Sequence, residues 1–258
     1  MSTLTPSAPG TPPEQADRAP WKPSDTLIGT LATLIPLLGV GVLNLLASNA
    51  VGSTPKLTRE QDLATAVITL IISAILEGVF LIAPLIVANR RARGAQGQAL
   101  GFRPFDVGIA IGLVLLMMAG AFVAGLIIDF ILRTLHITVQ TNVDVLEQQV
   151  KQAPYSTLAT LIAAVVVAPI CEEIFFRSFL LQGLRQVMAT PIAILLSALI
   201  FATAHLSPGS FALLFILGIF LGALRVQTRS IWPGFALHTL NNAISAAFVL
   251  SLIIPALK

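Results

Sequence analysis

Three charged side chains lie close together inside one of the longest apolar stretches of the chain. Glu172 and Glu173 are adjacent in the segment APICEEIFFR, and Arg177 follows one helical turn after Glu173. A charge at the centre of a bilayer costs about 2.5–3.5 kcal/mol on insertion scales, so such groups are seldom kept without a use. The four-residue spacing predicts an ion pair between Glu173 and Arg177. Glu172 points about 100° away and has no local counter-charge.

Two later apolar stretches carry further polar side chains that could take part in chemistry. His205 ends the segment FATAH, and His238 lies one turn before Asn242. A partly buried carboxylate and a histidine can together take a proton from water. A second histidine and an asparagine amide can stabilise the oxyanion that forms when water attacks a carbonyl group. Together with Glu172, these side chains therefore predict hydrolysis.

Each of these residues also has a structural explanation. Intramembrane His and Asn side chains commonly form hydrogen bonds with a neighbouring helix. The Glu173–Arg177 pair is favoured as structural support because its two charges neutralise each other. One glutamate and two histidines are also a catalytic zinc set, so Glu172, His205 and His238 would be the ligands if a metal binds. They lack the short HExxH spacing, and we expect a reaction that requires no cofactor, with zinc as the alternative.

The composition places the chain in a membrane. Hydrophobic residues make up 56% and charged residues 10% of its 258 residues, whereas a soluble protein carries about 25% charged residues. Basic cytoplasmic loops account for the net charge of +3, which requires no nucleic-acid partner. The single cysteine, Cys171, excludes an intramolecular disulfide. We expect an integral, multi-pass protein in contact with the lipid bilayer.

The apolar stretches predict an all-α bundle of about seven transmembrane helices around a polar cavity. A bilayer core requires about 20 residues per helix. Apolar residues at helical spacing within residues 143–150 predict a short helix on the membrane surface, and Gly218 and Gly222 predict a close helix contact. The predicted spans are residues 26–50, 63–87, 107–132, 157–181, 192–205, 210–224 and 231–254.

Residues outside the spans predict the domain limits and the orientation. Residues 1–25 are rich in Pro, Ser and Thr, which predicts a disordered tail before a helical domain at residues 26–258. If residues 90–103 form a cytoplasmic loop and the helices alternate, ten of the 15 Lys and Arg residues lie inside. The positive-inside rule then predicts a cytoplasmic N-terminus.

The predicted spans place His205 and His238 at different depths. His205 ends one outward-running helix, and His238 lies about two turns into another, so their depths could differ by ~10 Å. We expect the fifth helix to start deep in the membrane, or the helices to tilt around a water-filled cavity.

Three short motifs together resemble those of a known family, the CPBP intramembrane proteases, also called the Abi or CAAX prenyl protease 2-like family. The segment LGFRP at residues 100–104 is similar to another family feature. The resemblance covers about residues 100–242 and implies a protease-like core at about residues 100–245. The motifs are Glu172-Glu173-x-x-x-Arg177, Phe201-x-x-x-His205 and His238-x-x-x-Asn242.

The resemblance implies a membrane-embedded endopeptidase, expected in a bacterial inner membrane. In the family, the first glutamate and the FxxxH histidine activate water, which gives this role to Glu172 and His205. The HxxxN pair forms the oxyanion hole, which gives that role to His238 and Asn242. Members are described both as metalloproteases and as metal-independent glutamate proteases, so the resemblance leaves the metal open. The implied substrates are prenylated CAAX proteins or bacteriocin-type and leader-type peptides.

Two other functions are compatible with the sequence. A catalytically silent scaffold or immunity factor could have the same fold, since a sequence does not show turnover. A proton-coupled transporter could use Glu77, Glu172 and the histidines as a relay, but two matching halves with broken helices are not evident. Glu77, in the second predicted span, is expected to serve the architecture as a protonated or hydrogen-bonded group.

Overall fold

All regular elements in the described part of the chain are helices. The computed structural model describes residues 19–51 and 56–256. The helices are α1 (Pro23–Val51), α2 (Arg59–Arg91), α3 (Gln96–Ala99), α4 (Val107–Thr134), α5 (Asn142–Gln152), α6 (Pro154–Leu184), α7 (Thr190–Ala204), α8 (Phe211–Thr228) and α9 (Trp232–Ala256).

The predicted polytopic helical bundle is confirmed. Six helices, α1, α2, α4, α6, α8 and α9, are long and apolar enough to cross a membrane. Large apolar side chains are exposed along them, as expected of surfaces that face lipid. Helix α7 has 15 residues and is about 22 Å long, which is shorter than a bilayer core of about 30 Å. Six long helices and one short apolar helix lie at the positions of the seven predicted spans.

Helix α5 is the short helix expected between the third and fourth spans. Its first turn is closed by reciprocal hydrogen bonds: Thr141 N–H donates to Asp144 Oδ2 at 2.7 Å, and Asp144 N–H donates to Thr141 Oγ1 at 3.3 Å. The hydrogen bonds that the backbone N–H and the hydroxyl of Thr141 donate to Asp144 Oδ2 hold the pKa of Asp144 below its ordinary value. The motif is a capping box, which fixes where the helix begins.

Helices α2 and α6 lie side by side and run in the same direction. Near the start of α2, Asp62 is buried and accepts hydrogen bonds from the N–H groups of Tyr155 and Ser156, at 2.8 and 2.9 Å. These are free N–H groups at the start of α6, so Asp62 caps a neighbouring helix. Further along, the ring of Phe80 packs against that of Phe175, with centroids 5.2 Å apart. The two contacts fix the register of the pair.

The aromatic core lies where α1, α2, α6 and α7 meet. Phe175, Phe176, Phe179 and Phe201 are fully buried in it, and the ring of Trp21 packs 5.6 Å from that of Phe179. The predicted disordered tail therefore does not extend over residues 19–25, because Trp21 is buried and α1 begins at Pro23. The rest of that tail, residues 1–18, lies outside the described residues.

The predicted glycine contact joins α8 to α7. A Cβ atom at Gly218 would lie 2.9 Å from Ala198 Cα, and one at Gly222 would lie 3.1 Å from Ile194 Cγ2. The missing side chains let the two backbones approach closely, as in other small-residue contacts between membrane helices. This contact helps to hold the short α7 in the bundle.

The LGFRP segment lies in the loop before α4 and forms hydrogen bonds with residues at the start of α9. Gly101 O accepts a hydrogen bond from Ile231 N–H at 2.9 Å, and Arg103 O accepts one from Ser230 Oγ at 2.8 Å. Gly101 has φ 84°, and a Cβ atom there would lie 2.9 Å from Arg225 Nε. The glycine is needed both for its left-handed backbone and for the close approach of Arg225.

We therefore expect Gly101→Ala to lower the free energy of unfolding more than Gly94→Ala does. Gly94 also has positive φ, 79°, but a Cβ atom there would meet nothing within 4 Å. Gly94→Ala should cost about 1–2 kcal/mol from backbone strain alone. Gly101→Ala should cost at least about 1 kcal/mol more from overpacking. Thermal unfolding of both variants in detergent measures the difference, and equal losses would contradict a role for the Arg225 contact.

Candidate active site

Three helices bring one carboxylate and two imidazoles together. Glu172 lies on α6, His205 directly follows α7, and His238 lies on α9. Glu172 Oε2 is 3.9 Å from His205 Nε2 and 3.8 Å from His238 Nε2. The side chains of Glu172 and His238 are buried, whereas that of His205 is 22% exposed. The arrangement is a buried polar site in which His205 is the most exposed of the three side chains.

The backbone fixes the tautomer of His205. Its Nδ1 lies 2.8 Å from the carbonyl oxygen of Phe201, one turn earlier. Because a carbonyl oxygen only accepts, Nδ1 carries a proton, and the other nitrogen, Nε2, faces Glu172. The next residue, Leu206, has φ 49°, a left-handed conformation that ends the helix at this point.

The difference in depth expected for the two histidines is absent. Both Nε2 atoms lie within 4 Å of one carboxylate oxygen. Helix α7 can place His205 at this level because it is short and ends before it could cross a bilayer core. The length of α7 is thus part of the site geometry.

Glu173 contacts both Arg177 and His238. The predicted ion pair is present, with Arg177 Nε 3.4 Å from Glu173 Oε1, and both side chains are buried. The same oxygen lies 3.3 Å from His238 Nδ1. A carboxylate on one imidazole nitrogen orients the ring and leaves the other nitrogen for chemistry. This second contact was not predicted from the sequence, because Glu173 and His238 are 65 residues apart.

Arg177 is a buried cation between an anion and an aromatic ring. Its Cζ lies 4.2 Å from the centroid of the Phe201 ring. The ring of Phe201 also packs against those of His205 and His238, with centroids 4.6 and 5.8 Å apart. Cation–π contacts of this kind partly replace lost hydration. Phe201 thereby connects the ion pair to both histidines.

Asn242 forms a hydrogen bond with a backbone carbonyl of α6 that the π-helical winding of this helix leaves free. Residues Ala163–Val167 form a π-helical turn, a feature that is frequent at functional sites. Asn242 Nδ2 donates to Ala164 O at 2.9 Å, and Asn241 Nδ2 donates to Asn242 Oδ1 at 3.3 Å. The amide has two N–H groups, so the second one is available to another acceptor.

Glu77 lies beside the site, which the sequence analysis did not anticipate. On α2, Glu77 lies one turn before Phe80. On α6, Glu172 lies about one turn before Phe175 and Phe176, the two residues whose rings Phe80 contacts. Because α2 and α6 are parallel, Glu77 and Glu172 lie at the same level of the bundle. Glu77 Oε2 is buried and has no hydrogen-bond partner among the described residues. The expected hydrogen bond to a neighbouring helix is therefore not found for this oxygen.

Glu172, His205 and His238 are the residues that would have to act as ligands if a divalent metal binds. Their donor types fit a catalytic zinc site. The distances from Oε2 to the two Nε2 atoms, 3.9 and 3.8 Å, exceed the ~3.4 Å expected between neighbouring ligands of tetrahedral zinc. In the part of the chain that is described, no group of three or more His, Cys, Asp or Glu side chains could hold a metal ion. The donor types match zinc, but their spacing does not enclose an ion.

Residues 154–244 match the family described as type II CAAX prenyl endopeptidase Rce1-like. The predicted resemblance is confirmed. The matched segment, which we call the CAAX-protease-like segment, contains all three motifs and 91 of the 258 residues. The LGFRP segment lies before it. Searches of curated proteins and of solved structures gave no match.

Removal of Arg177 should destabilise the CAAX-protease-like segment. Arg177→Ala leaves the Glu173 carboxylate buried without its cation, which typically costs about 3–5 kcal/mol. We expect little folded protein, measured by size-exclusion chromatography and thermal unfolding in detergent. Arg133→Ala is the matched control, because Arg133 and Asp129 have the same spacing but are 79% and 56% exposed. The control should change stability by less than about 1 kcal/mol. A fully stable Arg177→Ala protein would contradict a structural role for the buried pair.

Proposed function

We propose that the protein is an intramembrane endopeptidase of the CAAX type, which hydrolyses a peptide bond in a membrane-associated substrate. The observation that carries the proposal is the convergence of Glu172, His205 and His238 from three helices on one buried point. The family match supports the same class of reaction. The proposed substrates are a prenylated CAAX protein or a bacteriocin-type or leader-type peptide. The distribution of the Lys and Arg residues supports a cytoplasmic N-terminus.

In this proposal, Glu172 and His205 activate water. Glu172 Oε2 and His205 Nε2 are both acceptors, and they are 3.9 Å apart. A water molecule about 2.8 Å from each would donate one hydrogen to each and keep a lone pair for attack. When its oxygen bonds to the carbonyl carbon, Glu172 takes the proton and later gives it to the departing amine. The products are a carboxylic acid and an amine.

His238 and Asn242 stabilise the oxyanion in this proposal. His238 lies between two carboxylates, with Glu173 near Nδ1 and Glu172 near Nε2. The proposal requires a proton on each ring nitrogen, so that Nδ1–H points to Glu173 and Nε2–H can turn to the developing oxyanion. The second N–H of the Asn242 amide adds another donor, while the bond to Ala164 O fixes the amide in place. Such donors act well because they are already oriented before the reaction.

Glu172→Gln should abolish cleavage while the protein stays folded. The substitution keeps the size of the side chain but removes the proton acceptor, and loss of a general base typically costs 10²–10⁴-fold in rate. The measurement is cleavage of farnesylated CAAX peptides and of a peptide library by purified protein in detergent. Cleavage by Glu172→Gln at the wild-type rate would refute the mechanism. A wild-type protein that cleaves none of these peptides would instead favour the non-catalytic scaffold.

Glu77→Gln is the matched control for this variant. Glu77 is also an intramembrane glutamate, and it lies at the level of Glu172 on the neighbouring helix. Two close carboxylates in a buried site are rarely both charged, and glutamine resembles a glutamate that is already protonated. The variant should therefore keep nearly the full rate. A large loss with normal folding would place Glu77 in the reaction.

The same assay tests the metal. We propose that no metal is required, because the three possible ligands are spaced too widely to enclose an ion. Incubation with a strong chelator should then leave the rate unchanged. A zinc enzyme would lose activity and regain it when zinc is added. That result would make Glu172, His205 and His238 ligands instead of direct partners of the water.

A further inference from the structure

Gly234 lies against the carboxylate of Glu173. It is the third residue of α9 and stands one turn before His238. A Cβ atom at Gly234 would lie 2.7 Å from Glu173 Oε2, whereas its contact with Leu221, 3.9 Å, would be ordinary. The φ of Gly234 lies outside the left-handed region, so the backbone does not require glycine here. In a helix glycine costs about 1 kcal/mol relative to alanine. Among the described contacts, the one with Glu173 is what leaves too little room for a Cβ atom at this position.

The Glu173 carboxylate has little freedom to move away. Its side chain is fully buried, and Oε1 is shared between Arg177 Nε at 3.4 Å and His238 Nδ1 at 3.3 Å. The other oxygen, Oε2, is buried without a hydrogen-bond partner among the described residues. It faces the first turn of α9, where free N–H groups and the helix dipole favour an anion. Gly234 thus forms one wall of the space that holds this carboxylate.

We propose that Gly234 is a positioning residue for His238. The missing side chain sets the place of the Glu173 carboxylate, which in turn sets the orientation of the His238 ring. An added methyl group would have to displace Glu173 Oε2, since 2.7 Å is below any normal carbon–oxygen contact. The atom displaced is the end of a side chain, so the backbone can stay in place. The His238 Nδ1 contact is already 3.3 Å long and would be lost.

The first test is the histidine spectrum of Gly234→Ala. The chain has three histidines, so selective ¹⁵N labelling of histidine gives three sets of ring signals in detergent-solubilised protein. We expect Gly234→Ala to shift the signals of His238 and to leave those of His136 in place. Gly29→Ala is the control for overpacking, because its Cβ atom would also lie 2.7 Å from a neighbour, Phe179 Cζ. The control should lower the melting temperature and leave His238 unchanged.

The second test is kinetic and rests on the proposed peptidase function. Loss of a group that orients an active-site histidine typically costs 10–100-fold, so Gly234→Ala should lower kcat by about that factor with little change in KM. Glu173→Asp keeps a negative charge near Arg177. Because its side chain is shorter, it no longer collides with the methyl group that Gly234→Ala adds. In that background, Gly234→Ala should change kcat by less than about twofold, because coupled residues are not additive.

The outcomes separate this inference from the proposed function. Unchanged His238 signals in Gly234→Ala, or an undiminished effect in the Glu173→Asp background, would overturn the role of Gly234. If the wild type cleaves no peptide, the proposed function fails, and the histidine spectrum still decides the positioning role. If Gly234→Ala does not fold, Gly234→Ala in the Glu173→Asp background must fold, since the collision is then absent. Failure of both variants to fold would also overturn the inference.

Discussion

The structure of the site depends on the neutralisation of one buried carboxylate. Glu173 is fully buried in a helix that is long and apolar enough to cross a membrane, where an unpaired anion would be very costly. Arg177 on the same helix and His238 on α9 both contact its Oε1. Because these partners come from α6 and α9, the cost of leaving the carboxylate unpaired fixes the relative position of the two helices. A requirement of stability thereby positions a histidine of the candidate active site.

Two adjacent glutamates have different surroundings. Successive residues of a helix point about 100° apart, so Glu173 turns to the ion pair while Glu172 turns to the two histidines. Glu172 Oε2 is buried, has no hydrogen-bond partner in the described part of the chain, and faces both Nε2 atoms. One carboxylate is held by fixed partners, whereas the other faces the two histidines. In the proposed mechanism, the same short motif supplies both the support and the reactive group.

The irregular backbone of the bundle is concentrated around this site. Helix α6 is wound as π-helix at Ala163–Val167 and at Glu173–Leu180, and α7 ends at a left-handed residue, Leu206. Irregular backbone within a bilayer is tolerated where protein covers it or where it lines a cavity. The released carbonyl of Ala164 is satisfied by Asn242. The π-helical turn at Ala163–Val167 thus holds the Asn242 side chain at the candidate site, and its released carbonyl is paired.

The sequence by itself determined the class of the protein, the positions of most helices and the polar residues of the candidate site. Apolar length and local spacing carry that information, as in the Glu173–Arg177 pair, because they depend on residues within a few turns. Only the tertiary structure decided that His238 contacts Glu173, that Glu77 lies beside Glu172 and that His205 and His238 reach the same level. Such contacts depend on helix register and depth, which are set by packing between segments far apart in the chain.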